Sequence, residues 1–238
     1  MTDKVKRKLG YLPCYVGDRI QPFEPLFPGG SVNILDKGFD GVSAIVLWGG
    51  EDIHPSYYGA KAHHSNDKFG SKPSFRDINE WKAMIYAKAN NIPIIGVCRG
   101  AQFLCAFVGG RLIQDCSNHN NGQHDVLCKT PDGEVYHKVT SHHHQMMYPF
   151  DVQHEMLAWC DKPLSTRYEV GPDGPLIGIS GMQGKVEPEV VYFPQVNGFA
   201  IQGHPEWMSG GSPFVEWCLE NISKYCFQEK FVPEEAVF

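Results

Sequence analysis

The chain has 238 residues, 42% of them hydrophobic and 20% charged, with a formal net charge of -6 at pH 7. That is enough for one substantial α/β domain, expected over residues 1–238. The negative balance argues against a surface that tracks nucleic-acid phosphates, and no apolar run is long enough to cross a bilayer.

The basic run Lys4, Lys6, Arg7, Lys8 reads as a solvated tail. No signal-peptide core follows it, because Tyr11 to Val16 is short and ends at Gly17-Asp18. Eight cysteines are scattered without a Cys-x-x-Cys pair, so reduced thiols in a cytoplasmic setting are expected rather than a disulfide framework or zinc ribbon. No internal repeat or low-complexity segment is present.

In chain order, Leu9 to Val16 is the first expected strand, and the Pro- and Gly-rich stretch Gln21 to Gly30 is loop. Val42 to Trp48 is a buried strand that breaks at Gly49-Gly50. Glu51 to Phe75 is a long polar loop of the kind that usually carries function, with His54, His63 and His64 at its surface. Asp77 to about Asn90 is an amphipathic helix with Ile78, Trp81, Met84, Ile85 and Ala89 inward. Ile92 to Val97 is a second buried strand, and Phe103 to Val108 belongs to a buried helix. This alternation is that of a parallel α/β sheet.

Further on, Arg111 to Asp115 is a short strand. Asp125 to Lys129 and Glu134 to Thr140 form a hairpin about Thr130-Pro131-Asp132-Gly133. Short strands follow at Met156 to Trp159, Leu176 to Ile179, Val190 to Phe193 and Gly198 to Gln202. Ser212-Pro213 caps a last helix running to about Cys226, with Val215, Cys218, Leu219 and Ile222 inward.

The chemistry centres on Gly96-Val97-Cys98-Arg99-Gly100-Ala101-Gln102. A cysteine between close glycines on a strand-to-helix turn is the thiol form of a nucleophile elbow. The helix that follows aims its N–H groups and dipole at the sulfur, favouring thiolate. A thiol nucleophile needs a base, and the base an orienter. Gln202-Gly203-His204-Pro205-Glu206-Trp207, at the end of an apolar run, supplies His204 as base and Glu206 two residues on to hold its ring. For a developing oxyanion, the backbone N–H of Arg99 is one donor and that of Gly50 the favoured second. The side chain of Arg99 is read only as a surface ion pair.

These motifs resemble the class I (triad-type) glutamine amidotransferases. The likeness is strongest to the branch of γ-glutamyl hydrolases and γ-glutamyl-γ-aminobutyrate hydrolases. The resemblance runs through Trp48 to Pro55, Tyr58-Gly59, Arg76-Asp77, Glu80, Pro93 to Gln102, Gly109-Gly110, Gln114-Asp115, Ser141 to Gln145 and His204 to Trp207. It implies a flavodoxin-like three-layer α/β sandwich with a mostly parallel central sheet. It also implies a Cys98–His204–Glu206 triad that cleaves γ-glutamyl amide bonds through a γ-glutamyl thioester on Cys98. Substrate-holding positions map onto Gln102, Ser141 and His143. No cofactor and no metal are implied, and a homo-oligomer is left open. Three departures stand out: Trp48 before the paired glycines, Gly203 before His204, and a short, Pro-rich segment between the first and second strands; the first two are expected to redraw the substrate pocket.

Two other readings stand beside the hydrolase. The chain could be the glutaminase subunit of an amidotransferase, delivering ammonia to a separate synthase, since no nucleotide loop is present. It could also be a non-catalytic binding protein on the same scaffold. The run His142-His143-His144, with His119 and His124 upstream, matches no standard zinc spacing and is read as solvated or substrate-facing.

Overall fold

The computed structural model describes residues 6–14, 20–61, 63–66, 72–120, 122–169 and 185–231. Strand β1 (Lys8–Tyr11) is followed by β2 (Ser31–Asn33), the single-turn helix α1 (Ile34–Lys37) and β3 (Val42–Leu47). Helix α2 (Phe75–Ala89), β4 (Ile94–Val97) and α3 (Arg99–Phe107) complete the first half. The second half is mostly strand: β5 (Arg111–Ile113), β6 (Asp115–Cys116), β7 (Gly122–Thr130), β8 (Gly133–Ser141) and β9 (Met146–Tyr148) come first. After them run β10 (Glu155–Cys160), β11 (Tyr168–Glu169), β12 (Glu187–Phe193), β13 (Gly198–Ile201) and α4 (Pro213–Phe227).

Among the described residues the central sheet has the order β2-β1-β3-β4-β13-β12-β10-β7-β8. From β2 to β13 every pairing is parallel; from β13 to β8 every pairing is antiparallel. The protein is a mixed α/β sandwich of the flavodoxin-like kind, with helices on both faces. Along β3, Ala44, Val46 and then Trp48 pack against α4 and the turn around Glu24–Leu26, whereas Ile45 and Leu47 pack against α2 and α3. A strand covered on both faces must be apolar at every position, which is why it reads as a continuous run rather than an alternation.

Several boundaries shift for identifiable reasons. The strand expected from Ile92 begins at Ile94, because Pro93 has no N–H to donate; its carbonyl still accepts from Ile45. The first strand ends at Tyr11, short of Pro13, and residues 15 and 16 lie outside the described residues. The run Arg111 to Asp115 divides at Gln114 into β5, paired with β9, and β6, paired with β11. The strand expected at Leu176 to Ile179 lies outside the described residues. The hairpin is longer than read, with Thr130 opposite Gly133 and Gly122 opposite Ser141. Arg7 is no solvated tail: it pairs with Glu229 and sits 4.2 Å over the Phe227 ring.

Helix α2 starts two residues before Asp77. Ser74 is the cap, and Asp77 is the third helical residue of a reciprocal capping box: Asp77 N–H donates to Ser74 Oγ (3.0 Å) and Ser74 N–H to Asp77 Oδ2 (2.8 Å). The inward face also differs. Asp77, Glu80, Ala83, Met84 and Ala87 are buried, while Ile78 and Ile85 are 39% and 51% exposed. Met84 and the partly buried Trp81 face inward as expected, but counting only apolar residues rotates the face, because the buried one begins with two carboxylates. No helix among the described residues is long and apolar enough to cross a membrane.

Gly100 sets how closely α3 approaches β3. A Cβ there would stand 2.0 Å from the Leu47 carbonyl oxygen. Gly100→Ala is expected to destabilise the protein by about 3 kcal/mol through this overpacking, read as a lower midpoint in urea unfolding.

Candidate active site

Cys98 joins β4 to α3 at φ 50°, ψ −106°, an unusual conformation for a residue with a side chain. Its N–H donates to the carbonyl of Ile201 on β13 (2.7 Å), and its carbonyl accepts from Gln102 in the first turn of α3. The sulfur therefore sits at a helix N-terminus, where the N–H of Arg99 has no partner within the helix.

His204 leaves the end of β13, the strand beside β4. Its N–H donates to the carbonyl of Thr140 on β8 (2.7 Å), and its Nδ1 lies 2.7 Å from Glu206 Oε1. Nε2 is buried, makes no regular hydrogen bond and is left to the neighbouring Cys98. The two side chains flank Gly49, where a Cβ would lie 3.1 Å from His204 Cε1 and 3.5 Å from Cys98 Cβ. Trp207 covers the imidazole, its ring parallel within 3° at 3.8 Å, while remaining 53% exposed. Burial opposes a charge on His204, but the Cys98 sulfur and the Glu206 carboxylate together outweigh it and raise the imidazole to about 10.

Gly50, at φ 137°, follows Gly49 in the loop beyond β3. This loop is tied to α2, because Arg76 donates to the Trp48 carbonyl (2.6 Å) and to Glu80 (2.7 Å). Arg99 corrects the surface reading. Its side chain is 2% exposed and donates to Glu80 and, at 2.5 Å, to Asp77. It fills the space under the elbow that the two α2 carboxylates leave polar. Arg76, Asp77 and Glu80 stand in the sequence motifs without a task of their own. The signal for one lies in their helical spacing opposite an arginine placed directly after the cysteine.

Gln102 and His143 meet at one acceptor, the carbonyl of Gln145, with Gln102 Nε2 at 2.9 Å and His143 Nδ1 at 2.8 Å. Burial, then the adjacent His119, holds His143 well below the usual imidazole range, so it is neutral. Its Nε2 is buried and unpaired. Ser141 turns its hydroxyl to the carbonyl of His119 (2.6 Å). His144 bridges Asp52 and Asp115, 3.2 Å from each, and the bond to Asp52 does most to raise it. His63 is not a surface residue: it is buried, with Nε2 2.5 Å from Glu169 and Nδ1 2.6 Å from Ser65 Oγ.

The first two departures from the family pattern act on packing. Trp48 is buried and stacks on Phe23 (5.7 Å, 21°), so its bulk goes into the core. The space beside Gly203 is taken by β8, because a Cβ there would stand 2.3 Å from Val139 Cγ2. A larger residue is excluded by the hairpin rather than exchanged for substrate room.

Comparison with known proteins places the family and the fold. The model of the Peptidase C26 family matches residues 25–162. A Schizosaccharomyces pombe protein assigned by name to the glutamine amidotransferases is 38% identical over 93 residues, 39% of this chain and 35% of that one. A Lactococcus lactis glutamine amidotransferase-like protein is 37% identical over 102 residues, 43% of this chain and 40% of its own. The chain thus spans well under half the length of these curated relatives. Among solved structures, a glutamine amido transferase from Methylobacillus flagellatus aligns at TM-score 0.55 and 11% identity, over 98% of this chain and 98% of that one. The glutaminase domain of Trypanosoma brucei CTPS with bound acivicin aligns at TM-score 0.53 and 13% identity, over 95% of this chain and 96% of its own. Likeness at this identity concerns the fold.

Two outcomes follow from the geometry. Arg99→Met leaves Asp77 and Glu80 buried without their cation and is expected to cost about 3–5 kcal/mol in urea unfolding. In an NMR titration His204 should keep its proton well above pH 6.5 and fall back toward the ordinary imidazole value in Cys98→Ala or Glu206→Gln. Its folded value is raised, so its contribution to stability is full below about 6.5 and is lost as pH rises through about 10.

Proposed function

The chain belongs to the Peptidase C26 family, and from that premise we propose that it is a cysteine hydrolase of γ-glutamyl amide bonds. The observation that carries the reading is the imidazole of His204, held between Glu206 and a cysteine at a helix N-terminus.

In this mechanism Cys98 Sγ attacks the γ-carbonyl carbon as His204 Nε2 takes, or already holds, the thiol proton. The backbone N–H groups of Arg99 and Gly50 receive the oxyanion. Collapse breaks the C–N bond, and His204 passes its proton to the departing amine or ammonia. A γ-glutamyl thioester remains on Cys98. Water then attacks this thioester and gives a proton to His204, and the tetrahedral adduct expels the sulfur to release glutamate. Glu206, bonded to Nδ1, keeps Nε2 as the working nitrogen and stabilises the imidazolium. Gln102, Ser141 and His143 border the space for the glutamyl group. The triad needs no cofactor for these steps, and the whole chain acts as one domain. Eight free thiols support a reducing, cytoplasmic setting.

The test is glutamate release from free glutamine and from a panel of γ-glutamyl amines. Fast release from one γ-glutamyl amine, with glutamine poor, is the expected result. Slow release from glutamine alone, rising with a co-purifying synthase, would replace it with the glutaminase component of an amidotransferase. Cys98→Ala and His204→Asn should each lower kcat by about 10⁶-fold and Glu206→Gln by about 10⁴-fold, since triad members act as a unit. Unchanged turnover in Cys98→Ala would sink the mechanism.

A further inference from the structure

Beside the proposed active site, two stretches far apart in sequence, around residues 119–124 and at 189, bring together a second set of chemistry-bearing side chains. His119 lies between β6 and β7, His124 on β7 and Glu189 on β12. One donor atom from each lies within 4.8 Å of the others. His124 Nε2 is 2.9 Å from Glu189 Oε1, and His119 Nδ1 is 3.8 Å from the same oxygen. The side chains of His119 and Glu189 are 0% exposed. Both ring nitrogens of His119 and Oε2 of Glu189 make no regular hydrogen bond, although all are buried. Buried polar atoms are rarely left so; His119 Nε2 faces Glu187, while His119 Nδ1 and the Glu189 carboxylate face each other.

We infer that His119, His124 and Glu189 bind a divalent metal ion of the zinc type, in a site distinct from the Cys98 constellation.

The donor chemistry selects the ion. Two imidazoles and one carboxylate suit zinc and its first-row neighbours, not magnesium or calcium, which prefer oxygen cages. Tetrahedral bonds of zinc-type length set donor atoms about 3.3 Å apart. Two of the three separations, 2.9 and 3.8 Å, bracket that distance, and the third lies within 4.8 Å.

The two nearby glutamates divide the work. Glu187 is already committed: it accepts from the N–H groups of Leu164 (2.8 Å) and Ser165 (3.0 Å) and from the Tyr168 hydroxyl (2.7 Å). Its remaining contact is with His119, Oε2 to Nε2 at 3.2 Å. A carboxylate on the far nitrogen is how a metal-bound imidazole is commonly oriented, and it leaves Nδ1 for the ion. Glu189 is uncommitted by comparison, with only His124 and the Cys160 thiol at Oε1.

An ion here would brace the neighbouring segments. The His119 carbonyl accepts from Ser141 Oγ and from the N–H of His143, and its ring stacks on His143 at 4.7 Å. The Glu189 carbonyl accepts the N–H of Gln202, two residues before His204.

The test is the metal content of the full chain, purified without chelator or polyhistidine tag, then dialysed against zinc and passed through a desalting column. About one equivalent per chain is expected, with a Tm that falls on chelation and recovers with zinc. Cobalt in place of zinc should give the visible absorption of a tetrahedral site. Glu189→Gln and His124→Gln should each hold less than a tenth of an equivalent, while His142→Ala, at an exposed histidine, should bind as the wild type does. Wild-type protein that retains no ion after dialysis and shows no zinc-dependent Tm would overturn the site. So would full retention by a folded Glu189→Gln. These readouts need no turnover, so the site and the proposed hydrolase stand or fall separately.

Discussion

The backbone of Cys98 is the constraint around which the rest is arranged. At φ 50°, ψ −106°, a residue with a side chain sits at a cost of order 1–3 kcal/mol and persists only where its surroundings impose it. Here they do so from three sides. The N–H is taken by β13 through Ile201, the first turn of α3 is drawn against Leu47 by the absence of a side chain at Gly100, and the next residue is anchored to α2 through Asp77 and Glu80. The buried arginine is thus weak evidence for stability in itself, since two carboxylates and a guanidinium lose much hydration there. Its value lies in fixing the direction in which the helix leaves the cysteine.

The sheet changes character at β13, and the site lies at that change. On one side the strands are parallel, and the C-terminal ends of β3, β4 and β13 deliver Gly49, Cys98 and His204 to one place, as open α/β sheets generally do. On the other side the antiparallel strands bring the histidine-rich stretch of the β7–β8 hairpin and its approach across to the same end. The bond from His204 to Thr140 and the packing of Val139 beside Gly203 join the two halves directly. That contact leaves no room for a side chain at position 203.

What was legible in the sequence follows from burial on both faces. Ala44 to Trp48, the run ending at Val97 and Gly198 to Ile201 are apolar throughout because each lies between helical layers, and the elbow announces itself because only small residues fit around it. What was hidden was polar and buried. Arg99 and the inward face of α2 broke the rule that charge means solvent, so Ile78 and Ile85 were assigned to the wrong side of the helix. The grouping of His119, His124 and Glu189 was half visible: the two histidines stand five residues apart and read together with the run His142-His143-His144, but Glu189 is joined to them only by the fold. Glu187 and Glu189 also disguised the start of β12, a strand whose early residues are buried although two are acidic.

Trp207 gives the imidazole a property that hydrogen bonding does not. Its indole lies flat on His204 at 3.8 Å with half of its own surface in solvent, and a protonated ring in that position is a cation against a π face. The contact couples the charge of His204 to the excited state of one of the chain's five tryptophans. Emission from Trp207 therefore carries information on whether the proton is at home and on whether another molecule has displaced the indole, giving the protein an intrinsic optical gauge of its own site.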